Sequence, residues 1–315
     1  MIDIVTIGET MVNFIPDQRG YLRYAKNFSM KIAGAESNVA IGVAKLGHSS
    51  GWISKLGKDE FGEIILKELR SEGVDVSSVI QTSNNPTGVM FKQFSIQNET
   101  NVMYYRSNSA ASTLGLNDID IDYLKKARII HISGVTPMLS ETCKEAIYSI
   151  LDFAEKFKIP VSFDPNIRLK LMDKDEAKAC LYPFLEKSDI VMLGQGEAEL
   201  LLGLKNPEEI IYKLRDLGVK KIAIKMGDKG AVVADSKTIV NIPLVKTVLV
   251  DTVGAGDAFN SGFLTGLIEK RSIEECGNMG ALMGALAVST NGDTEGLISR
   301  EDFDHLYYHK NIIYR

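Results

Sequence analysis

Short continuous apolar runs recur along this chain, at residues 4–7, 129–132, 161–163, 190–193, 222–224 and 231–234. Several do not alternate with polar residues, which is the pattern of strands buried on both faces. Between them the apolar positions fall at helical spacing, and the helix ends are marked. Asp59 precedes a stretch carrying Ile64, Ile65, Leu66 and Leu69, with Gly73 beyond its end. Asp173 with Glu176, and Ser272 with Glu275, read as capping boxes. Asn206 precedes Pro207 at a first helical position, and Gly218 can close that helix. Strand–helix alternation of this kind predicts an α/β fold, a mostly parallel sheet covered on both faces by helices.

Two regions break the pattern. Residues 10–32 alternate loosely through Phe14, Tyr24, Phe28 and Met30, and residues 88–106 through Val89, Phe91, Val102 and Tyr104. They predict antiparallel strands in a separate small sheet, with a turn at Asn98-Glu99-Thr100-Asn101. A lone hairpin is marginal, so this sheet must pack on the body or on a second subunit, and a homodimer through it is expected. The expected division is a nucleotide- and substrate-binding core of residues 1–9, 33–87 and 107–315, with residues 10–32 and 88–106 as a β-sheet lid. Open parallel sheets bind ligands beyond the carboxyl ends of their strands. The turns at Gly8-Glu9, Gly134, Asp164-Pro165-Asn166, Gly194-Gln195-Gly196-Glu197 and Lys225-Met226-Gly227 should therefore converge on one crevice.

The chain has 315 residues, 45% of them apolar and 24% charged, which suits one large soluble unit with an appendage. Its net charge of -5 argues against a nucleic-acid binder. Cys143, Cys180 and Cys276 are isolated, so neither a disulfide framework nor a zinc site is expected. No apolar stretch reaches the roughly 20 residues that span a bilayer, and no basic leader opens the chain. A cytoplasmic protein acting on a soluble small molecule is expected.

The chemistry concentrates in Val250-Asp251-Thr252-Val253-Gly254-Ala255-Gly256-Asp257-Ala258-Phe259. A glycine turn opening a helix offers unpaired N–H groups and a positive dipole end, a ready phosphate site. A carboxylate there repels phosphate unless it has a task, and the task that fits is taking a proton from an attacking hydroxyl. No G-x-x-x-x-G-K-[ST] occurs, and Phe259 stands where a dinucleotide fold would need a third glycine. Ala33-Gly34-Ala35-Glu36-Ser37-Asn38 leads into another helix; Gly34 permits close approach of a ligand and Asn38 can bond a polyol. Tyr104 and Arg106 share one face of an extended segment and Tyr105 takes the other. A Tyr–Arg face suits hydroxyls and an anionic end. Arg168 follows the Asp164-Pro165-Asn166 turn and could hold phosphate or carboxylate. Glu197 could orient water on Mg²⁺, or simply favour a helix N-terminus. Lys225 to Gly230 is either an ordinary hairpin or a surface along the nucleotide.

The 251–259 segment resembles the C-terminal signature of the ribokinase (PfkB) family of sugar kinases, and residues 34–40 resemble its N-terminal signature. The resemblance spans essentially the whole chain. It implies a ribokinase-like fold with a β-sheet lid, ATP and Mg²⁺, and a monovalent cation such as K⁺ near Asp251. It implies Asp257 as base, with the amides of Gly254, Ala255 and Gly256 as an anion hole. Lys225, Gly227 and Gly230 fall where the family contacts nucleotide, with Asn166 on the same side, and Asn278 falls where it approaches adenine. Gly194 replaces the asparagine of the family's N-x-x-E magnesium motif, which leaves Glu197 alone there. Within the family, Tyr104, Arg106 and Arg168 match residues that hold an acid sugar in 2-keto-3-deoxygluconate kinases, and Asp293 matches a further substrate-side aspartate. The expectation is phosphorylation of 2-keto-3-deoxygluconate on O6, with fructose as the alternative acceptor and a non-catalytic sugar or nucleotide sensor as the reading from another class.

Overall fold

The computed structural model describes residues 1–94, 100–290 and 292–308. The chain begins β1 (Ile2–Ile7), β2 (Met11–Pro16), β3 (Phe28–Ala33), α1 (Ala35–Lys45), β4 (Ser50–Gly57) and α2 (Glu60–Ser71). It continues β5 (Val74–Asp75), β6 (Val79–Thr82), β7 (Val89–Phe94), β8 (Thr100–Tyr105), α3 (Ile121–Leu124) and β9 (Ala127–Ser133). Then follow α4 (Glu141–Phe157), β10 (Val161–Asp164), α5 (Lys174–Glu186), β11 (Ile190–Gly194), α6 (Gln195–Leu202) and α7 (Pro207–Asp216). Last come β12 (Lys221–Lys225), β13 (Ala231–Ala234), β14 (Ile239–Ile242), α8 (Ala255–Ile268), α9 (Ile273–Ala287) and α10 (Arg300–Tyr308).

The large sheet has ten strands in the order β14-β13-β12-β11-β10-β9-β1-β4-β5, with β6 also paired to β4. Every pairing from β5 to β12 is parallel, and β13 and β14 continue it as antiparallel strands. Each apolar run named above lies in one of its strands. The stretch β4 to β6 was not marked by such a run. Ser50, Gly51, Ser54, Lys55 and Gly57 break up β4, although Trp52, Ile53 and Leu56 are fully buried in it. Helices α4 to α7 cover one face, where Phe163, Phe184, Leu201 and Ile210 share a core. Helices α1, α8 and α9 cover the other, with Val39, Phe263 and Cys276 against Ile4 and Met192.

The predicted caps are in place. Asp59 accepts the Gly62 amide at 2.8 Å, Asp173 and Ser272 close capping boxes with Glu176 and Glu275, and Asn206 caps α7 ahead of Pro207.

The small sheet has four strands in the order β3-β2-β7-β8. Its strands were expected to run antiparallel. They do within the β2–β3 and β7–β8 hairpins, but β2 and β7 meet in parallel, because the chain crosses the large sheet between the two hairpins. Of the expected turn, Asn98 and Glu99 lie outside the described residues. Cross-strand register assigns the faces. Phe14, Phe91 and Tyr105 share one face, with Phe14 and Phe91 stacked at 4.8 Å and Phe14 also packed edge-on against Phe61 of α2. Met11, Ala33, Met90, Val102 and Tyr104 form an apolar cluster on the opposite face.

Candidate active site

The segment before α8 carries no regular structure, then turns sharply at Gly254. Its φ of +78° is left-handed, and a Cβ there would lie 2.6 Å from the Asp293 carbonyl oxygen, so only glycine fits. The chain enters α8 at Ala255. The amides of that first turn cannot be used by the helix itself and sit at the positive end of its dipole.

Asp257 lies in this turn and is 9% exposed. Its Oδ2 accepts a hydrogen bond from Asn38 Nδ2 at 2.8 Å. Asn38 stands in the first turn of α1, which begins on Gly34, and its own amide donates to Gly34 O at 2.8 Å. Burial pushes the Asp257 carboxyl up to about 7; the Asn38 bond opposes this, the Asp164 charge adds to it, and Arg168 and Lys225 pull it back. Such a value suits a base working near neutral pH. Asn38, expected to meet a polyol, thus contacts Asp257 directly.

A second polar group lies beside it. Lys225 Nζ, at the end of β12, is 2.6 Å from Asp164 Oδ2 at the end of β10. Asn260 Nδ2 donates to the same oxygen at 2.6 Å. Burial disfavours the charged ammonium of Lys225, but Asp164 and Glu197 outweigh it and hold its pKa above the usual lysine value. Glu197 Oε2 accepts the Gly194 amide at 2.7 Å and Oε1 the Ile167 amide at 2.8 Å. Burial, then the Asp164 charge, hold Glu197 above the ordinary carboxylate range. Gly194 is the N-cap of α6, so Glu197 also closes a helix end. Asn166 has φ +38°, and its amide donates to Asp164 Oδ1 at 3.2 Å. Arg168 is exposed at the same rim. Gly227 and Gly230 bracket the turn of the β12–β13 hairpin. Asn278 is half-buried on α9, which packs along α8.

The small sheet brings the third group. Tyr104 is half-buried, with the Arg106 guanidinium 5.5 Å from its ring centre. Arg106, expected to present a free fork, is itself buried and ion-paired with Glu9, whose Oε1 also accepts from Ser109 Oγ at 2.5 Å. Its Nε–H is buried and has no hydrogen-bond partner among the described residues. Lys92 Nζ lies 3.2 Å from Asp293 Oδ1 and 3.5 Å from Asp251 Oδ2. Burial raises the Asp293 pKa, and Lys92 opposes it. Lys31 pairs with Glu295 at 2.7 Å, and Lys170 donates to Val102 O at 2.8 Å. Three lysines therefore fasten the small sheet to loops of the body.

Beneath these groups Glu36 is wholly enclosed. A Cβ on Gly8 would lie 2.1 Å from the Glu36 carboxyl carbon, so Gly8 makes its space. Thr136 Oγ1 donates to Glu36 Oε1 at 2.5 Å, and burial pushes the carboxyl up to about 8.

Glu9 and Asp164 were placed at the crevice without a chemical role, and Asn260 and Lys92 were not singled out. Asn260 could have been found, because it stands three residues after Asp257 on the same helix face. The others meet partners 61 to 201 positions away or come from separate strands, as Lys225–Asp164 and Lys92–Asp293 do.

The comparisons with known proteins bear on the family and the fold. The model of the pfkB family carbohydrate kinases matches residues 1–300. The chain is 40% identical over 304 residues to a 2-dehydro-3-deoxygluconokinase of Bacillus subtilis (strain 168), covering 95% of this chain and 94% of that protein. It is 29% identical over 299 residues to Fructokinase-1 of Oryza sativa subsp. japonica, covering 92% of each. An E. coli structure, described as a ribokinase II candidate in complex with ATP and Mg²⁺, superposes with a TM-score of 0.92 at 26% identity, covering 98% of this chain and 100% of that one. Among the described residues no helix is long and apolar enough to cross a membrane. The ribokinase-like fold, the buried aspartate at a glycine-opened helix and the family match lead to one conclusion: the chain belongs to the pfkB family of carbohydrate kinases, phosphotransferases with an alcohol group as acceptor.

Proposed function

We propose that this kinase transfers the γ-phosphoryl group of ATP to the 6-hydroxyl of 2-keto-3-deoxygluconate. The observation that carries the chemistry is Asp257, buried at the opening of α8 and fixed by Asn38. In this reading Asp257 takes the hydroxyl proton as attack begins. The amides of Gly254, Ala255 and Gly256 hold the charge that develops on the transferring group. Lys225, Gly227 and Gly230 lie along the phosphates and Asn278 near the base of the nucleotide.

The residues present fit a magnesium ion carried in with ATP. No cluster of three or more His, Cys, Asp or Glu among the described residues could cage a metal, and magnesium commonly binds through substrate phosphates and a few carboxylates. Both Glu197 oxygens already serve backbone amides, so Glu197 would act through the ion's waters, with Asp164 beside it. When bound, the ion would neutralise charge on the transferring phosphoryl group.

The substrate assignment rests on Tyr104, Arg106 and Arg168, whose residue types suit an acid sugar, and on the likeness to a 2-dehydro-3-deoxygluconokinase. The buried Nε–H of Arg106 is a donor with no acceptor among the described residues. One observation favours the second reading, fructose: Glu9 already neutralises Arg106, which weakens its pull on a carboxylate. The test is kcat/KM of the wild type for the two sugars, read by ADP release. A preference of tenfold or more for the keto-deoxy acid is expected; a preference for fructose would overturn the assignment. The half-exposed Phe14, Phe28 and Phe91 with the exposed Tyr105 suit a homodimer through their face of the small sheet.

A further inference from the structure

A monovalent cation near Asp251 is part of what the family resemblance implies, and the residues here do not fit it. Asp251 Oδ1 accepts the Val253 amide at 3.1 Å. Its Oδ2 faces the Lys92 ammonium at 3.5 Å. That ammonium also contacts Asp293 at 3.2 Å, and the Lys92 side chain is 1% exposed. The position already holds a single positive charge, delivered by the chain itself. A buried lysine is costly unless it is paired, and here two carboxylates pair with it. Adding a metal ion would set a second cation against the first.

We infer that Lys92 takes the place of the monovalent cation, balancing Asp251 and Asp293 and thereby bracing the Gly254 turn that opens α8. The mechanical link is direct. The Asp293 backbone abuts Gly254, and Asp251 lies three residues before it. A bound metal would remain with the body of the protein. Lys92 belongs to β7 of the small sheet, so the charge arrives when that sheet is seated. Lys92 is thus a positioning residue: it touches neither the phosphates nor the transferred proton, and it fixes the two loops that shape the anion hole.

The inference depends on phosphoryl transfer from ATP and not on which sugar accepts it. Wild type is assayed with whichever sugar it turns over, in potassium, sodium and tetramethylammonium buffers of equal ionic strength. Rates within twofold across the three are expected, and stimulation of tenfold or more by potassium overturns the inference. Lys92→Ala should lose at least tenfold in kcat in tetramethylammonium. It should recover in potassium, with a potassium-dependent rise in melting temperature that wild type lacks. A folded Lys92→Ala that keeps wild-type rates, or loses activity without potassium recovery, overturns it. If Lys92→Ala does not fold, Lys92→Met fills the space without the charge. A tenfold loss in kcat with an ATP KM within threefold of wild type supports the role, and an unchanged kcat removes it. Absence of turnover with the keto-deoxy acid, but not with fructose, would count against the substrate assignment alone.

Discussion

Two lysines flank the Gly254 turn, and they differ in what carries them. Lys225 ends a central strand of the large sheet and meets Asp164 at 2.6 Å. Lys92 sits on the small sheet and meets Asp293 at 3.2 Å. The first pair joins the ends of two parallel strands, β10 and β12, that lie on either side of β11 in the large sheet. The second joins the small sheet to two loops of the body, at Asp251 and Asp293. In the function proposed above, the first pair stands on the nucleotide side within one sheet, and the second ties the expected lid to the body. On that proposal, a lid tied to the body by a charge pair would complete the charge distribution of the site only over an enclosed acceptor, and so keep water from ATP.

The largest effect should fall on the fixed side. Asp257→Asn should lower turnover about 10³-fold with either sugar, within the usual range for removing a general base, while ATP affinity by calorimetry stays within threefold. Near-normal turnover would break the comparison at its root. The same variant should be more stable. The native pKa is raised from 3.8 to about 7, so the folded state holds its proton longer than the unfolded one. Stability is therefore lost as pH rises from about 4 to about 7, and asparagine removes that loss, worth roughly 2–4 kcal/mol above pH 7. In wild type, kcat/KM should rise with pH up to about 7 and then level, as Asp257 loses its proton.

Arg106→Ala probes the docked side. It should cut kcat/KM for the keto-deoxy acid about 100-fold and for fructose less than threefold, in the range expected for losing a charge-assisted contact. Equal losses for both sugars would mean that its bond to Glu9 is what matters, and that Arg106 serves structure rather than recognition.

The smallest effect should come from Glu36→Gln. Turnover at pH 7 should stay within a few-fold, because a carboxyl raised from 4.5 to about 8 is already mostly protonated there. Wild type loses stability from this group as pH climbs toward 8, whereas glutamine has no such loss. Urea unfolding at pH 6 and pH 9 should show the variant's advantage growing by roughly 1–3 kcal/mol. Parallel pH dependences would remove Glu36 from this account.

What could be read in advance follows the same division. The Gly254 turn and Asp257 are contiguous, and their chemistry follows from local rules about helix ends. The caps at Asp59, Asp173, Asn206 and Ser272 are likewise local. The alternation in residues 88–106 revealed strands, and it put Tyr104 and Tyr105 on opposite faces as found. It could not reveal where Lys92 points, because its partners are 159 and 201 positions along the chain and belong to two loops. Nor could it show that Arg106 is held by Glu9, since that pair forms only when the end of β1 comes beside the end of β8. The strand β4 was hidden for another reason. Its burial is imposed by neighbours on both sides, and interspersed serine, glycine and lysine are tolerated inside a sheet so covered.

The bond between Asn38 and Asp257 spans 219 positions. On the ribosome, α1 emerges early and waits for a helix that most of the remaining chain must precede. Long-range closures of this kind come late in folding, and large proteins pass through partly formed states first. A nascent or incompletely folded copy can hold its glycines and its lysines yet leave its aspartate unplaced. On the proposed mechanism, such a copy has no oriented base with which to spend ATP. On that mechanism, activity reports that two segments 219 positions apart have met.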